Sequence, residues 1–259
     1  MNDVFSLHKG STPLLISVPH DGWHIPSEIV QHMDGAGRAI PDTDWHVAEL
    51  YEFAKASGAS MITAKMSRYV VDLNRPADDA SLYTDQLATG LCPKKTFAGA
   101  DIYLDPIDID VDARVSAYWR PYHDQLAQTL SELHTQHGYA LLWDAHSIAS
   151  TVPQLFDGEL PVLNVGTWDG RSCHASVSDA VMAVAEKSNY DAVLNGRFKG
   201  GYITRHYGDP DNGIQAIQLE LAQRAYMHER RLDLDRAKAE ELRATLKAML
   251  DAYQDAAGK

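Results

Sequence analysis

Apolar strand-like runs alternate with amphipathic helical ones along the whole chain, and that alternation restricts it to an α/β architecture. The strand signals are PLLISV (13–18), SMITAK (60–65), RYVVDL (68–73), YALLWD (139–144), PVLNVG (161–166), GYITRH (201–206) and IQAIQLEL (214–221). In DWHVAELYEFAKASG (44–58), Val47, Leu50, Tyr51 and Ala54 share a helical face, and Gly58 suits a C-terminal cap. Residues 112–138 read as one long helix with a kink expected at Pro121. Residues 174–188 form a further helix, and 236–253 an amphipathic one with Leu242, Leu246, Met249 and Tyr253 inward. Residues 77–110 are irregular and rich in Asp, Pro and Gly; so long a loop in a folded domain is usually functional or covers something. No repeat or linker divides the 259 residues, so a single domain spanning 1–259 is expected.

Charge and cysteine content narrow the function classes. A net charge of -13 disfavours nucleic acid or an anionic membrane surface as partner. No run of about 18 apolar residues predicts a membrane span. The opening MNDVFSLHKG lacks a charged leader followed by an apolar stretch, and Cys92 and Cys173 are too few and too far apart for a thiolate metal site. A reducing, cytoplasmic setting is the expectation.

Three strands end in residues that a core does not want. LLISVPHDG runs out to His20, ALLWDAHS to Asp144 and His146, and AIQLEL carries Glu220 within an apolar strand. Any one of these histidines taken alone reads more readily as a structural or surface residue than as a ligand, and Asp144 or Ser147 as a helix cap. Together they fit a His₂-carboxylate metal site beyond the carboxyl ends of the strands, where open α/β sheets bind ligands. A carboxylate buried alone is costly, and a metal or its water would give Glu220 a partner. There is no GxSxG, HExxH, Walker A or GxGxxG sequence, which leaves metal-activated water as the hydrolytic option.

Cations concentrate in two places: Arg68 and Arg75 in SRYVVDLNRP (67–76), and Arg197, Lys199, Arg205 and His206 in RFKGGYITRHYG (197–208). Solvated strand ends and a basic surface hairpin are the plain readings. Against 36 Asp and Glu and only 23 Lys and Arg, such clustering reads as local anion binding.

VPHDG (18–22), DTDWH (42–46), SRYVVDLNRP, DAHS (144–147), GRFKGGYITRHYG (196–208) and AIQLELAQRAYM (216–227) together resemble the N-formylglutamate amidohydrolases over nearly the whole chain. That family is related to zinc carboxypeptidases and aspartoacylase. The resemblance implies a mixed central sheet flanked by helices, zinc-carboxypeptidase-like (phosphorylase/hydrolase-like). It also implies Zn²⁺ or another divalent metal, and hydrolysis of N-formyl-L-glutamate to glutamate and formate in histidine degradation. On the matching positions, His20 and His146 are metal ligands, Glu220 is the general base, and Arg68 polarises the scissile carbonyl. Asn74 and Arg75 receive a substrate carboxylate, with Lys199, Thr204 and Arg205 expected beside the substrate. The relatives' HxxE motif is missing, since His20-Asp21-Gly22-Trp23 stands there. Asp44 is expected as middle ligand, with His24 and Glu28 as alternatives. Two rivals stay open: a zinc hydrolase removing another acyl group from an acidic amino acid, and a non-catalytic ligand-binding protein on the same fold.

Overall fold

The computed structural model describes residues 4–81, 89–105 and 108–258. Seven strands form one twisted sheet in the order β1-β3-β2-β4-β7-β5-β6: β1 (Phe5–His8), β2 (Leu14–Val18), β3 (Ser60–Ala64), β4 (Ala140–Ile148), β5 (Leu163–Gly166), β6 (Ala192–Leu194) and β7 (Ile214–Ala222). β3, β2, β4 and β7 run parallel; β1 and β5 are antiparallel to their neighbours β3 and β7, and β6 is parallel to β5. The sheet is therefore mixed, as expected.

The two faces of this sheet differ. Side chains alternate along a strand, so Leu141, Trp143 and Ala145 of β4 point with Ile217, Leu219 and Leu221 of β7 to one side. There they join Leu14, Ile16 and Val18 under the helices Ala175–Ala185 and Arg236–Ala257, an apolar layer with Gln215 and Ser147 at its two ends. The other side begins apolar, with Leu15, Leu142 and Ala216 beneath the helix Arg120–His137. It turns polar at Ser17, Asp144 and Gln218, then at His146 and Glu220. It is apolar again at Ile148 and Ala222. A polar band is thus set into one face of a sheet whose other face is mostly apolar core.

Several elements depart from the sequence expectation. The stretch 68–73 is not a strand: it is a buried run of turns whose Tyr69, Val70, Val71 and Leu73 fill the core. Both edges of β3, the strand just before it, are already paired with β1 and β2, so β3 offers it no ladder. GYITRH is not a strand either; Tyr202–Tyr207 is a short helix, despite the β-branched Ile203 and Thr204. Its first amides are taken by Asn74, and that tertiary contact overrides propensity. The helix expected over 44–58 breaks at Tyr51 into Val47–Leu50 and Glu52–Ala56. The helix expected over 112–138 is α-helical at Val111–Arg114 and Arg120–His137, with a π-turn at Val115–Trp119 just ahead of Pro121. β1 and β6 were not anticipated from the sequence. Of the irregular 77–110, residues 82–88 and 106–107 lie outside the described residues.

Candidate active site

The polar band opens into a cleft floored by His20, Asp44, His146, Gln218 and Glu220 and rimmed by Arg68, Arg75, Thr89, Phe97, Arg197 and Phe198. Its floor comes from strand geometry. His146 and Glu220 are register partners on adjacent parallel strands, so they share one face. His20 follows β2, two positions beyond its last residue, Val18. Asp44 precedes the helix Val47–Leu50, and its backbone N–H donates to the His20 carbonyl at 3.0 Å.

Two buried carboxylates steer the imidazoles. His20 Nε2 meets Asp72 Oδ1 at 2.8 Å, and His146 Nε2 meets Asp144 Oδ2 at 3.1 Å. Each Nε2 faces a carboxylate, and each Nδ1 faces Asp44 Oδ2, at 3.7 Å from His20 and 3.1 Å from His146; in the neutral ring that keeps its proton on Nε2, Nδ1 is the atom left to ligate. Two imidazoles and one carboxylate, all buried, with one ligand atom each within 4.8 Å of the others, can hold a metal ion. The donor set and the carboxylates behind it suit a divalent catalytic ion. The alternatives for the middle ligand, His24 and Glu28, are exposed and outside this cleft.

Electrostatics bind the floor together. Burial pulls the Asp44 carboxyl up, but hydrogen bonds from His146 and His20 and their charges outweigh it and hold the group below the usual carboxylate range. Burial acts the same way on Asp72, and His20, Arg68 and Arg75 overcome it. The His146 imidazolium is favoured by Asp144 and Asp44 against the penalty of burial, which raises its pKa well above the ordinary value. Glu220 is different: burial dominates and pushes its carboxyl up to about 8. Among the described residues its carboxyl has one hydrogen-bonding neighbour, Gln218, whose Nε2 lies 3.5 Å from Oε2 and whose Oε1 accepts from the Gly201 amide at 2.6 Å.

The cations divide sharply. Arg68 is buried, giving Nη2 to Asp72 at 2.9 Å and Nη1 to Asp44 at 3.5 Å and to the Asp42 carbonyl at 3.3 Å, beneath the Phe97 ring. Its Nε is buried without a hydrogen-bond partner among the described residues. Arg75 donates to the Thr89 carbonyl and hydroxyl and to the Asn74 carbonyl, three of its five N–H groups. Arg197 lines the cleft, its Nε donating to the Leu155 carbonyl. Lys199 and Arg205 do not line it: Lys199 pairs with Asp169 at 3.1 Å, and Arg205 stacks over Trp168. Thr204 is wholly buried behind the floor, its hydroxyl 3.2 Å from Asp144 Oδ2. Asn74 is spent internally as well. Its Oδ1 accepts from the Ile203 amide at 2.8 Å, which turns the Nδ2 donor toward Asp144 Oδ2 at 3.5 Å, with the His146 ring packed against it.

Sequence reasoning left Asp72, Gln218 and Phe97 out of the site. Asp72 carried a signal, a carboxylate in the middle of an apolar run, and Gln218 sits two residues before Glu220 on the same face. Phe97 had none, since its place over Arg68 depends on the path of the long loop.

Comparisons with known proteins show the family and the fold. The family model for N-formylglutamate amidohydrolase matches residues 12–227. The N-formylglutamate deformylase of Pseudomonas putida is 48% identical over 88% of this chain and 87% of its own length. That of Pseudomonas aeruginosa is 47% identical over 97% and 96%. Among solved structures, an N-formylglutamate amidohydrolase from Ralstonia eutropha superposes with a TM-score of 0.83 at 23% identity, covering 96% of this chain and 97% of that one. A gene product of Agrobacterium tumefaciens gives 0.71 at 20%, over 96% and 95%. On the family match and these identities, the chain belongs to the N-formylglutamate amidohydrolase family.

Proposed function

We infer that this chain hydrolyses N-formyl-L-glutamate to L-glutamate and formate, with a divalent metal, zinc, held by His20, Asp44 and His146. One observation carries the reading: three convergent ligands, two of them imidazoles backed by carboxylates, lie under an arginine-rimmed cleft in a chain of this family. Bound there, the metal supplies Lewis acidity and lowers the pKa of water.

The remaining chemistry belongs to side chains. Glu220, the register partner of His146 on the cleft floor, accepts the proton of the attacking water and delivers it to the leaving amine. Arg68, which lines the cleft beside Asp44, is the cation for oxygen charge that develops on the formyl carbonyl. Arg75, with N–H groups in reserve, and Arg197 receive the two carboxylates of the glutamate moiety. Since a formyl group offers little to grip, binding energy comes mostly from that remote part. Asn74 and Thr204 support the floor, and Lys199 and Arg205 stand outside the substrate set. The two free cysteines suit a reducing, cytoplasmic compartment, and histidine degradation is the pathway the family reading carries.

The test is formate release by purified protein, with its metal content measured in parallel and N-acetylglutamate and N-formylglutamine as competitors. Rapid release from N-formylglutamate alone supports the reading. Metal-loaded protein that releases no formate, or that prefers the acetyl derivative, overturns it.

A further inference from the structure

The segment 67–76 is buried yet has no ladder, so its carbonyls need donors from elsewhere. One face of one helix supplies donors to four of them. Arg114 Nη1 reaches the carbonyls of Tyr69 and Val70 at 3.3 and 2.9 Å. Trp119 Nε1 donates to the Arg75 carbonyl at 2.9 Å, and His123 Nε2 to the Leu73 carbonyl at 2.9 Å. The Leu73 oxygen only accepts, so Nε2 carries the proton and Nδ1 accepts from the Tyr207 hydroxyl at 2.9 Å. Burial pushes the His123 imidazole down to about 3, which keeps it neutral.

Spacing makes this grip unusual. Trp119 and His123 are four residues apart, one α-helical turn, but Arg114 and Trp119 are five apart. In an unbroken α-helix, five residues turn side chains about 140° away from each other. The π-turn Val115–Trp119 absorbs the extra residue and brings all three donors to one face. Pro121 has no N–H for the Ala117 carbonyl, so the helix is already free to widen there.

We propose that this π-turn registers the long helix on the active-site loop, and that Trp119 and His123 are positioning residues. They hold the carbonyls on either side of Asn74. That sets the Asn74 amide against His146 and Asp144 and aims Arg75 into the cleft. The short helix Tyr202–Tyr207 closes the clamp from the other side, through the Ile203 amide on Asn74 and Tyr207 on His123. The inference rests on Arg75 as a carboxylate receptor, the reading given above.

Trp119→Phe tests it, because the ring stacked on His123 stays and only the N–H is lost. KM for N-formylglutamate should rise about tenfold with kcat within about twofold, the scale of a lost hydrogen bond and a misplaced arginine. Metal content and thermal midpoint should hold, while amide hydrogen exchange over 72–76 accelerates. His123→Leu should repeat the rise in KM, and His123→Gln, which restores an amide donor, should relieve it. Unchanged KM and unchanged local exchange in both Trp119→Phe and His123→Leu overturn the proposal. So does a loss confined to kcat or to global stability. If wild-type protein does not turn over N-formylglutamate, the functional reading fails by itself, and the exchange measurement still decides whether these residues position the loop.

Discussion

The two faces of the central sheet are built from the same strands and do opposite work. Toward the helices Ala175–Ala185 and Arg236–Ala257, β4 and β7 present Trp143, Ala145, Leu219 and Leu221, all fully buried and apolar. Toward the cleft they present Asp144, His146, Gln218 and Glu220, which are almost as buried and all polar. One face gains stability from removing apolar area from water. The other bears the desolvation of several ionisable groups and recovers it only through mutual pairing. The apolar face thus supplies the stability with which a strained, charged face can be kept in register. Charge neutralisation on the cleft face is local: Asp44 and Asp72 are held ionised by His20, His146 and arginines, and Glu220 alone is left to burial.

Substitutions on the two faces should therefore separate activity from stability. The largest effect is expected at the ligands. His20→Ala or His146→Ala should remove bound metal and formate release together, read by elemental analysis and activity. Stoichiometric metal in either variant would take that residue out of the ligand set. Next is Glu220→Gln, nearly isosteric, which should keep its metal while kcat falls about 10² to 10⁴-fold, the usual worth of general acid–base catalysis. Near-normal kcat would move the proton to another group on this face.

Leu219→Ala, one residue away and on the opposite face, should do the reverse. It should cost about 2–5 kcal/mol in denaturant unfolding as a core truncation, with metal content retained and kcat of the folded protein little changed. A selective loss of metal there would mean the two faces are not independent.

A smaller effect is expected from pH. The imidazole of His123 is depressed from 6.5 to about 3 by burial, so below 6.5 an unfolded chain binds a proton that the folded chain refuses. Stability is then lost as the pH falls from about 6.5 toward 3, by about 2 kcal/mol at pH 5 for this group. His123→Leu should flatten that part of the stability profile relative to wild type, and parallel profiles would show that His123 takes up its proton in the folded state.

Smallest is the contrast among the arginines. Arg197→Ala, at the cleft rim, should raise KM for N-formylglutamate about tenfold, the scale of one charge-assisted hydrogen bond at a partly exposed site. Arg205→Ala, stacked on Trp168 outside the cleft, should leave KM nearly unchanged. Equal effects from the two would put the second carboxylate elsewhere.

Much of this was legible in the residues. Hydrophobic alternation located β2, β3, β4, β5 and β7 to within a few positions, because burial on both faces leaves near-continuous apolar runs. The polar interruptions in those runs, His20, His146 and Glu220, pointed to the cleft before any packing was known, because a charge in an apolar strand needs a partner. Two strand-like segments misled for one shared reason. Residues 68–73 and 201–206 carry β-branched and aromatic side chains suited to burial, and burial is all that local composition records. Whether a buried segment becomes a strand depends on a free edge to pair with. Here β3 had none left, and side chains of the long helix and of Asn74 satisfied those backbones instead. In the same way the sequence by itself determined that cations cluster at 197–208, but only the tertiary structure decided that Arg197 enters the cleft while Lys199 and Arg205 turn to Asp169 and Trp168. Charge, burial and periodicity are properties of residues and their neighbours in the chain. Hydrogen-bond partners and the direction of a side chain are set by distant segments arriving together.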